Sequence, residues 1–572
     1  MKIVLVYKKQ EGRYIMGQIS LPVGIASFAK IRENNYYYID KTGLIRKLLR
    51  SNPDEVTLIT RPRRFGKTLN MNMLAEFFDI RKDSAALFAG LEVAKDKMLC
   101  DTWMNQYPIV YFTFKNVEGL DFASARGMLM EAVVRLYKEH YYLLDSEKVN
   151  DLDKEKFIRA AKGEISDTEL KNSLLALMFM LREYYGKPVI LLIDEYDVPL
   201  AKASERQYYE QMLDMIRGFL GQALKDNPAL RFAVVTGCLR IAKESIFTGT
   251  NNFVSDTISD HRFAEYFGFT EEEVEKLLAD TGLSGGLRQM RRWYDGYRFG
   301  NVEIYCPWDV LNYVSKLSED KKAKPESFWE NTSDNSIIRS FMERTDLGVQ
   351  DKFEKLLAGD CVKTELVENL TYDTLHSSEE NLWSLLYLTG YLTTAYPEAE
   401  QGGDERTALR IPNEEIMLIF RRMALEWFQE QSLRNDRKEL FDAAWNGEAG
   451  VLTEMLSDIL FDTISYHDYQ ESFYHAFLAG LFSGAGYIVE SNYEHGLGRS
   501  DVVIKDRKHR RAILFEAKHA ADEAMLEKDC DSALAQIKKK QYDKGLEREG
   551  YRSVLCYGIA FYKKECLVKK IS

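Results

Sequence analysis

Proline is scarce in this chain, 11 in 572 residues, and no Gly/Ser-rich tract occurs. Long disordered linkers are therefore not expected. No stretch approaches the roughly 18 consecutive apolar residues that a membrane-spanning helix needs. The opening "MKIVLVYKKQ" turns charged at once and lacks the apolar length and small-residue cleavage site of a signal peptide. Fixed-period repeats are missing as well. The seven cysteines are scattered without a C-x-x-C pair. That is the pattern of reduced thiols in a cytoplasm rather than a disulfide frame or a zinc site, so a cytoplasmic protein with no membrane partner is expected.

Basic residues are outnumbered, 77 Lys and Arg against 89 Asp and Glu, a net charge of -12 that argues against bulk nucleic-acid binding. The deficit is uneven. Residues 501–572 hold 17 basic and 12 acidic residues, so 17 - 12 = +5 for the tail and -12 - 5 = -17 for the rest. An acidic body with a basic tail points to a phosphate-rich partner at the tail. With 45% hydrophobic and 29% charged residues the chain is ordinary globular material, long enough for about three domains.

One glycine is missing in a telling place. "RPRRFGKT", residues 61–68, ends like the phosphate-binding loop G-x-x-x-x-G-K-[ST] but begins with Arg61. The context is right for such a loop. "VTLIT" (56–60) is a β-rich apolar run, and "LNMNMLAEFF" after Thr68 spaces apolar residues at helical intervals. Backbone N–H groups and the helix N-terminus would then face a phosphate. The later loop amides and Lys67 make the close approach, and Pro62 fixes φ and removes one N–H. The loop therefore reads as a working variant. Arg64, Phe65, Gly66, Lys67, Thr68 and Leu69 are its nucleotide-binding candidates, with Lys67 on the outer phosphates and Thr68 on Mg²⁺.

Further strands are read at 108–114, 188–197 and 230–237, separated by helices at 122–139, 168–185 and 205–224. This alternation is that of an α/β fold with a P-loop NTPase parallel sheet. "PVILLIDEYD" ends a buried run in carboxylates. Asp194 is placed to hold the metal in the manner of a Walker B acid, and Glu195 to activate or orient the attacking water.

Taken together, "YYYIDKTGLI", "TRPRRFGKT", "LLIDEYDVPL", "VTGCLRIAKESIF", "NNF" and "WYDGYRFG" resemble one bacterial family, the AAA-ATPase-like proteins that carry a C-terminal PD-(D/E)XK nuclease-type domain. The resemblance runs over roughly residues 20–572, and in that family the front half of the loop departs from the standard pattern in the same way. It implies roles for Asp40, Lys41, Thr236, Arg240, Asn251 and Asn252. Thr236, at a strand end, looks like a sensor of the γ-phosphate, and Arg240 or Arg262 like a source of positive charge in the transition state. Because the resemblance begins near Leu21, residues 1–20 read as an N-terminal extension, with Met16 as an alternative start. Residues 21–265 are the expected ATPase domain, 266–455 a mostly helical lid or connector, and 456–572 the nuclease-like domain.

In the connector, "TEEEVEKLLADTG" carries an N-cap threonine and a closing glycine. "WYDGYRFG" reads as an aromatic turn that packs a domain junction. Residues 382–416 read as helix, strand, acidic turn and strand, a winged-helix-like unit with too few basic residues to be assigned to DNA.

The tail holds a second constellation. "HGLGRSDVVI" puts Asp501 at the start of a β run, and "RAILFEAKHA" puts Glu516 and Lys518 at i and i+2, on one face of the next strand. Two acids and a lysine in this arrangement form a D…E-x-K site. The acids would hold Mg²⁺ or Mn²⁺, and the lysine would orient a water or offset charge. In the preceding helix Glu471 is a further metal-ligand candidate, with His475 one turn on as a packed or surface histidine. In the following helix Gln536 can point into the site and Lys538, Lys539 and Lys540 can track a phosphate backbone. These elements fall in the order of the PD-(D/E)XK fold, which the stretch resembles over about 110 residues. Three readings follow from the whole: an ATPase controlling a metal-dependent nuclease for DNA or RNA, suited to defence against foreign DNA; a nucleotide-switched nucleic-acid-binding protein that does not cut; and a signalling ATPase with a protein-binding tail. A homo-oligomer is compatible with each.

Overall fold

The computed structural model describes residues 8–10, 13–15, 19–50, 53–240, 253–329, 349–368, 370, 378–395, 406–423, 438–463, 471–484, 486–495 and 498–571. They fall into two compact units, Met1–Phe328 with Glu365–Thr394, and Trp329–Thr364 with Ala395–Ser572. The segment expected as a connector, 266–455, is thus shared between the units.

The first unit is built on a five-stranded sheet. Its strands are β1 (Val56–Thr60), β2 (Ile109–Thr113), β3 (Val189–Asp194), β4 (Leu230–Gly237) and β5 (Phe253–Asp256), in the order β2-β3-β4-β1-β5. Every neighbouring pair is parallel. β1 and β3 are buried along their whole length, as expected of a sheet covered on both faces. Helix α1 (Lys67–Phe78) follows β1 directly. α2 (Phe122–Glu139) and α3 (Asp167–Tyr185) lie between β2 and β3, and α4 (Tyr209–Leu224) lies between β3 and β4. α3 starts with a Ser166–Glu169 capping box and stops at left-handed Gly186, which gives it sharp ends. The four strands read from sequence are present. β5, four residues with a serine and an aspartate, carries too weak an apolar signal to be read.

Beyond β5 come α5 (Glu271–Asp280), α6 (Leu287–Tyr294), the antiparallel hairpin β6 (Tyr297–Phe299) and β7 (Val302–Ile304), and α7 (Pro307–Glu319). Val274, Leu278, Met290, Tyr294, Val310 and Tyr313 knit the helices into one cluster. The hairpin has another task. Phe65 of the loop is fully buried, with its ring 5.0 Å from both Tyr297 and Phe299. "WYDGYRFG" therefore packs the phosphate loop within its own unit. Gly268 (φ 107°) makes room for this contact, because a Cβ there would lie 2.1 Å from Ile304 Cγ2 and 3.1 Å from Phe65 Cδ1.

Arg61, where the standard pattern has glycine, is fully buried. Its guanidinium pairs with the Asp256 carboxylate at the end of β5 and donates to Thr60 O at 2.8 Å and Asp256 O at 3.1 Å. Its Cζ lies 5.4 Å from the Phe267 ring centroid and 5.3 Å from that of Phe299. The Arg61 N–H donates to Gly237 O at 3.1 Å, so the same residue also joins β1 to β4. A side chain that anchors the loop from beneath takes the place of a flexible turn.

The second unit ends in a five-stranded mixed sheet. In chain order its elements are α8 (Glu471–Gly484), β8 (Ile488–His495), β9 (Gly498–Asp506), β10 (Arg511–His519), α9 (Leu526–Lys540), α10 (Tyr542–Arg548), β11 (Ser553–Tyr562) and β12 (Glu565–Lys570). The strands are adjacent in sequence order; β10 and β11 are parallel, the other pairs antiparallel. Val503, Leu514, Ile537, Tyr542, Leu546 and Cys556 form the core beneath α9 and α10. Of the unit read as winged-helix-like, a helix (Glu379–Leu388) and short strands (Thr393–Thr394, Thr407–Arg410) are present, and residues 396–405 lie outside the described residues. No helix among the described residues is long and apolar enough to cross a membrane.

Removing one partner of a buried ion pair leaves the other charge stranded, at about 3–5 kcal/mol. Arg61→Gly, which restores the standard loop pattern, is therefore expected to destabilise the first unit by that amount. Chemical or thermal unfolding followed on that unit checks it; an unchanged or raised midpoint would show that the pair does not hold the loop.

Candidate active sites

In a parallel sheet the carboxyl ends of the strands share one edge, the usual place for a ligand. Here that edge gathers the loop after β1, Asp194 at the end of β3 and Thr236 near the end of β4. Gly66 sits at φ 84°, where its lack of a Cβ permits the turn, and caps α1 without a side-chain hydrogen bond. No acid occupies the first turn of α1. The helix thus presents amide N–H groups and the positive end of its dipole with no carboxylate of its own to oppose an anion.

Lys67 is buried and donates to Arg61 O at 2.8 Å and Pro62 O at 2.7 Å, with Cys238 Sγ at 3.6 Å. Thr68 Oγ1 donates to Asp194 Oδ2 at 2.8 Å, and Thr236 Oγ1 to Asp194 Oδ1 at 2.6 Å. Asp194 is almost wholly buried and takes one hydroxyl on each oxygen. The hydroxyl and carboxylate of Thr68 and Asp194 are hard oxygen donors of the kind that hold Mg²⁺, so the residues fit that ion. Glu195 adopts the left-handed region at φ 56°, a conformation uncommon for a non-glycine residue. Burial, then the adjacent Asp194, raises its carboxyl above the ordinary carboxylate range.

The other candidates divide. Phe65 turns its ring into the core, and Leu69 lies half-buried in the first turn of α1. Arg64 (φ 72°) donates to Phe328 O at 2.9 Å and lies over the Trp308 ring. Arg240 follows the end of β4, half-buried, immediately before residues 241–252, which lie outside the described residues together with Asn251 and Asn252. Arg262 pairs with Asp54, at the amino end of β1, and is not brought to the loop. Asp40 accepts from Thr42 and Glu92, and buried Lys41 pairs with Glu273 at 2.6 Å; both act as internal ties. Three residues of this edge escape a reading by motif. Tyr111 on β2 has its hydroxyl 3.3 Å from Asn72, which also donates to Thr68 O at 2.9 Å. Burial raises the Tyr111 phenol, as do the Asp194 and Glu195 carboxylates. The third is Asp197, an acid three residues beyond Asp194 in plain view of the sequence.

In the second unit, β9 and β10 pair with Val502 opposite Phe515, so the next step outward sets Asp501 opposite Glu516. Residues opposite one another in an antiparallel pair share a face, and so do i and i+2 on a strand. Asp501, Glu516 and Lys518 are thus brought together. Asp501 Oδ2 accepts from Ala517 N at 2.8 Å and lies 3.4 Å from His475 Nε2 of α8. Glu516 is fully buried, with Lys518 Nζ 3.6 Å from its Oε1 and the Gln536 amide donating to that same oxygen. Tyr542 borders the same acids, hydrogen-bonded to Gln536. Two carboxylates at one strand pair are a donor set suited to Mg²⁺ or Mn²⁺. The Glu471 side chain lies outside the described ones, and among the described residues no group of three or more His, Cys, Asp or Glu is placed to hold a metal ion.

The comparisons agree with this architecture. Residues 22–247 match the family model described as predicted AAA-ATPase, and residues 469–571 match that of the PD-(D/E)XK nuclease superfamily. A protein of Azotobacter chroococcum mcd 1, described as uncharacterized and located in the vnfD 5′ region, is 27% identical over 541 residues, 92% of this chain and 93% of its own. The two-part α/β architecture expected from the sequence is therefore present, with an AAA-like sheet before a PD-(D/E)XK-like one.

Gly558 sits beside Glu516 on the parallel strand β11, and a Cβ there would lie 2.7 Å from Cys530 O and 2.9 Å from Leu534 Cγ. Gly558→Ala is expected to push α9, and Gln536 with it, away from Glu516. A loss of about 1–3 kcal/mol in stability is the usual scale of such overpacking, and it should accompany loss of any metal-dependent activity of the tail. Thermal melting beside an activity assay checks this; an unchanged melt would show that the close approach is not needed.

Proposed function

We propose that this chain binds and hydrolyses ATP, and that its nucleotide state controls a Mg²⁺-dependent nuclease in the tail, acting on DNA or RNA. The observation that carries the reading is the pair of strand-end constellations: Thr68–Asp194–Thr236 around the loop lysine, and Asp501–Glu516–Lys518 on the tail sheet.

At the first site, Lys67 leaves the Arg61 and Pro62 carbonyls for the outer phosphates, while the amides opening α1 receive them. Thr68 and Asp194 are the residues to hold Mg²⁺. Glu195, raised in pKa and set at the strand end, takes a proton from the attacking water, and Thr236 senses the γ-phosphate by turning toward a phosphate oxygen the hydroxyl proton it gives Asp194 here. At the second site, Asp501 and Glu516 are the metal-holding residues. Gln536 and Tyr542 fix Glu516, and Lys518 orients the water or balances charge on the phosphodiester. Bound Mg²⁺ supplies charge neutralisation at both sites and acidifies a water at the second. Lys538, Lys539 and Lys540 at the end of α9 suit a phosphate backbone, and binding there should weaken steeply with salt.

Two experiments test the reading. Purified protein is incubated with supercoiled plasmid or single-stranded RNA, in Mg²⁺ or Mn²⁺, with and without ATP. Cleavage is expected to fall at least about a hundredfold in Glu516→Ala and Lys518→Ala, and Lys67→Ala should lose the response to ATP. Cutting by Glu516→Ala at the wild-type rate would remove the nuclease assignment, while nucleic acid bound but left whole by the wild type would favour a nucleotide-switched binder. Protection of cells against phage that disappears in Glu516→Ala would support a defence role. In the second experiment, Glu195→Gln is expected to lower ATP hydrolysis by about 10²–10⁴.

A further inference from the structure

The turn Asp194–Glu195–Tyr196–Asp197 holds one acid that the proposed chemistry leaves unused. Asp197 is buried, 3% exposed, and its Oδ2 accepts two backbone N–H groups, from Cys238 at 2.9 Å and Leu239 at 3.0 Å. Its Oδ1 is buried with no hydrogen-bond partner among the described residues. A buried carboxylate oxygen left this way is costly, so a simple clamp on two amides would be better served by a neutral side chain. Three further contacts fasten the same strand end. Tyr196 N donates to Thr236 O at 3.1 Å, the Tyr196 hydroxyl donates to Leu239 O at 2.7 Å, and Thr236 is tied to Asp194. Space is tight as well: a Cβ on Gly237 would lie 2.8 Å from Asp197 Oδ1 and 2.6 Å from the Tyr196 ring. Cys238, whose N–H Asp197 grips, places its Sγ 3.6 Å from the loop lysine.

We propose that Asp197 is a positioning residue for ATP hydrolysis, one that sets where Thr236 and Lys67 stand at the outer phosphate by gripping the Cys238 and Leu239 amides. The proposal rests on the ATPase reading above and deepens it. The strand end 236–239 meets the proposed reaction on two sides, through Thr236 to Asp194 and through Cys238 to Lys67, and Asp197 fixes both at once. Burial pushes the Asp197 carboxyl up, while the Leu239 N–H, the nearby Lys67 and the Cys238 N–H favour its charged form; in that form its hydrogen bonds are roughly twice as strong as those of a neutral acceptor. Asparagine keeps the shape and an acceptor but loses that strength, and alanine loses both.

The test is steady-state ATP hydrolysis by the full chain in Mg²⁺, with binding of a fluorescent ATP analogue measured beside it, for wild type, Asp197→Asn and Asp197→Ala. The expected result is a graded fall in kcat, about three- to tenfold for asparagine and tenfold or more for alanine, with KM and analogue affinity within about twofold. Should the alanine variant fail to fold, the isosteric asparagine variant still carries the test. Wild-type kcat in Asp197→Asn, or KM rising in step with the fall in kcat, overturns the assignment while leaving the ATPase reading intact. A wild-type protein that neither binds nor hydrolyses ATP removes both.

Discussion

The buried pair of Arg61 and Asp256 is the contact on which the first unit turns. A guanidinium enclosed by Phe267 and Phe299 has left water entirely, and only an equally buried carboxylate and two backbone carbonyls make that tolerable. The pair fastens β1 to the edge strand at the point where the phosphate loop begins. Phe65 then drives the middle of the loop onto Tyr297 and Phe299. The loop is therefore shaped by side chains beneath it rather than by glycines within it. Gly66 alone keeps the left-handed geometry at the mouth of α1 without a side chain.

The edge that gathers the candidate residues follows from that anchoring. With β1 fixed, β4 lies between it and β3, and the ends of the three strands carry Lys67 and Thr68, Thr236, and Asp194 in close order. The hydroxyls of Thr68 and Thr236 converge on Asp194 from opposite sides. The tail reaches its own cluster by a different route. An antiparallel pair sets Asp501 across from Glu516, and a parallel strand with a glycine lets α9 come down close enough for Gln536 to reach the acid. The tail site relies on register, which places unlike residues side by side, whereas the first site needs the anchored loop as well as the strand order.

Much of this was legible in the chain because it is written locally. β1, β3 and β4 are apolar runs that stop at polar residues, and the helix after Thr68 follows a 3.6-residue spacing. Glu516 and Lys518 share a face by strand period alone. What escaped is written across long separations. Nothing near Arg61 announces Asp256, 195 residues away, and nothing in "WYDGYRFG" says that its aromatics lie under the phosphate loop. Tyr297 and Phe299 of that stretch meet Phe65 across the boundary expected after residue 265, and residues 266–455 fall partly in each compact unit. Asp197 was visible but silent, since its meaning comes from the amides it grips on another strand.

The hold of the Arg61 and Pro62 carbonyls on Lys67 has a consequence for affinity. The ammonium already has acceptors inside the loop, so under the proposed nucleotide binding an incoming triphosphate would meet an intramolecular competitor. A dissociation constant for it would then report a difference between two sets of contacts rather than the strength of one. A substitution far from the nucleotide that merely loosens those two carbonyls would tighten binding, with no new contact to the ligand at all.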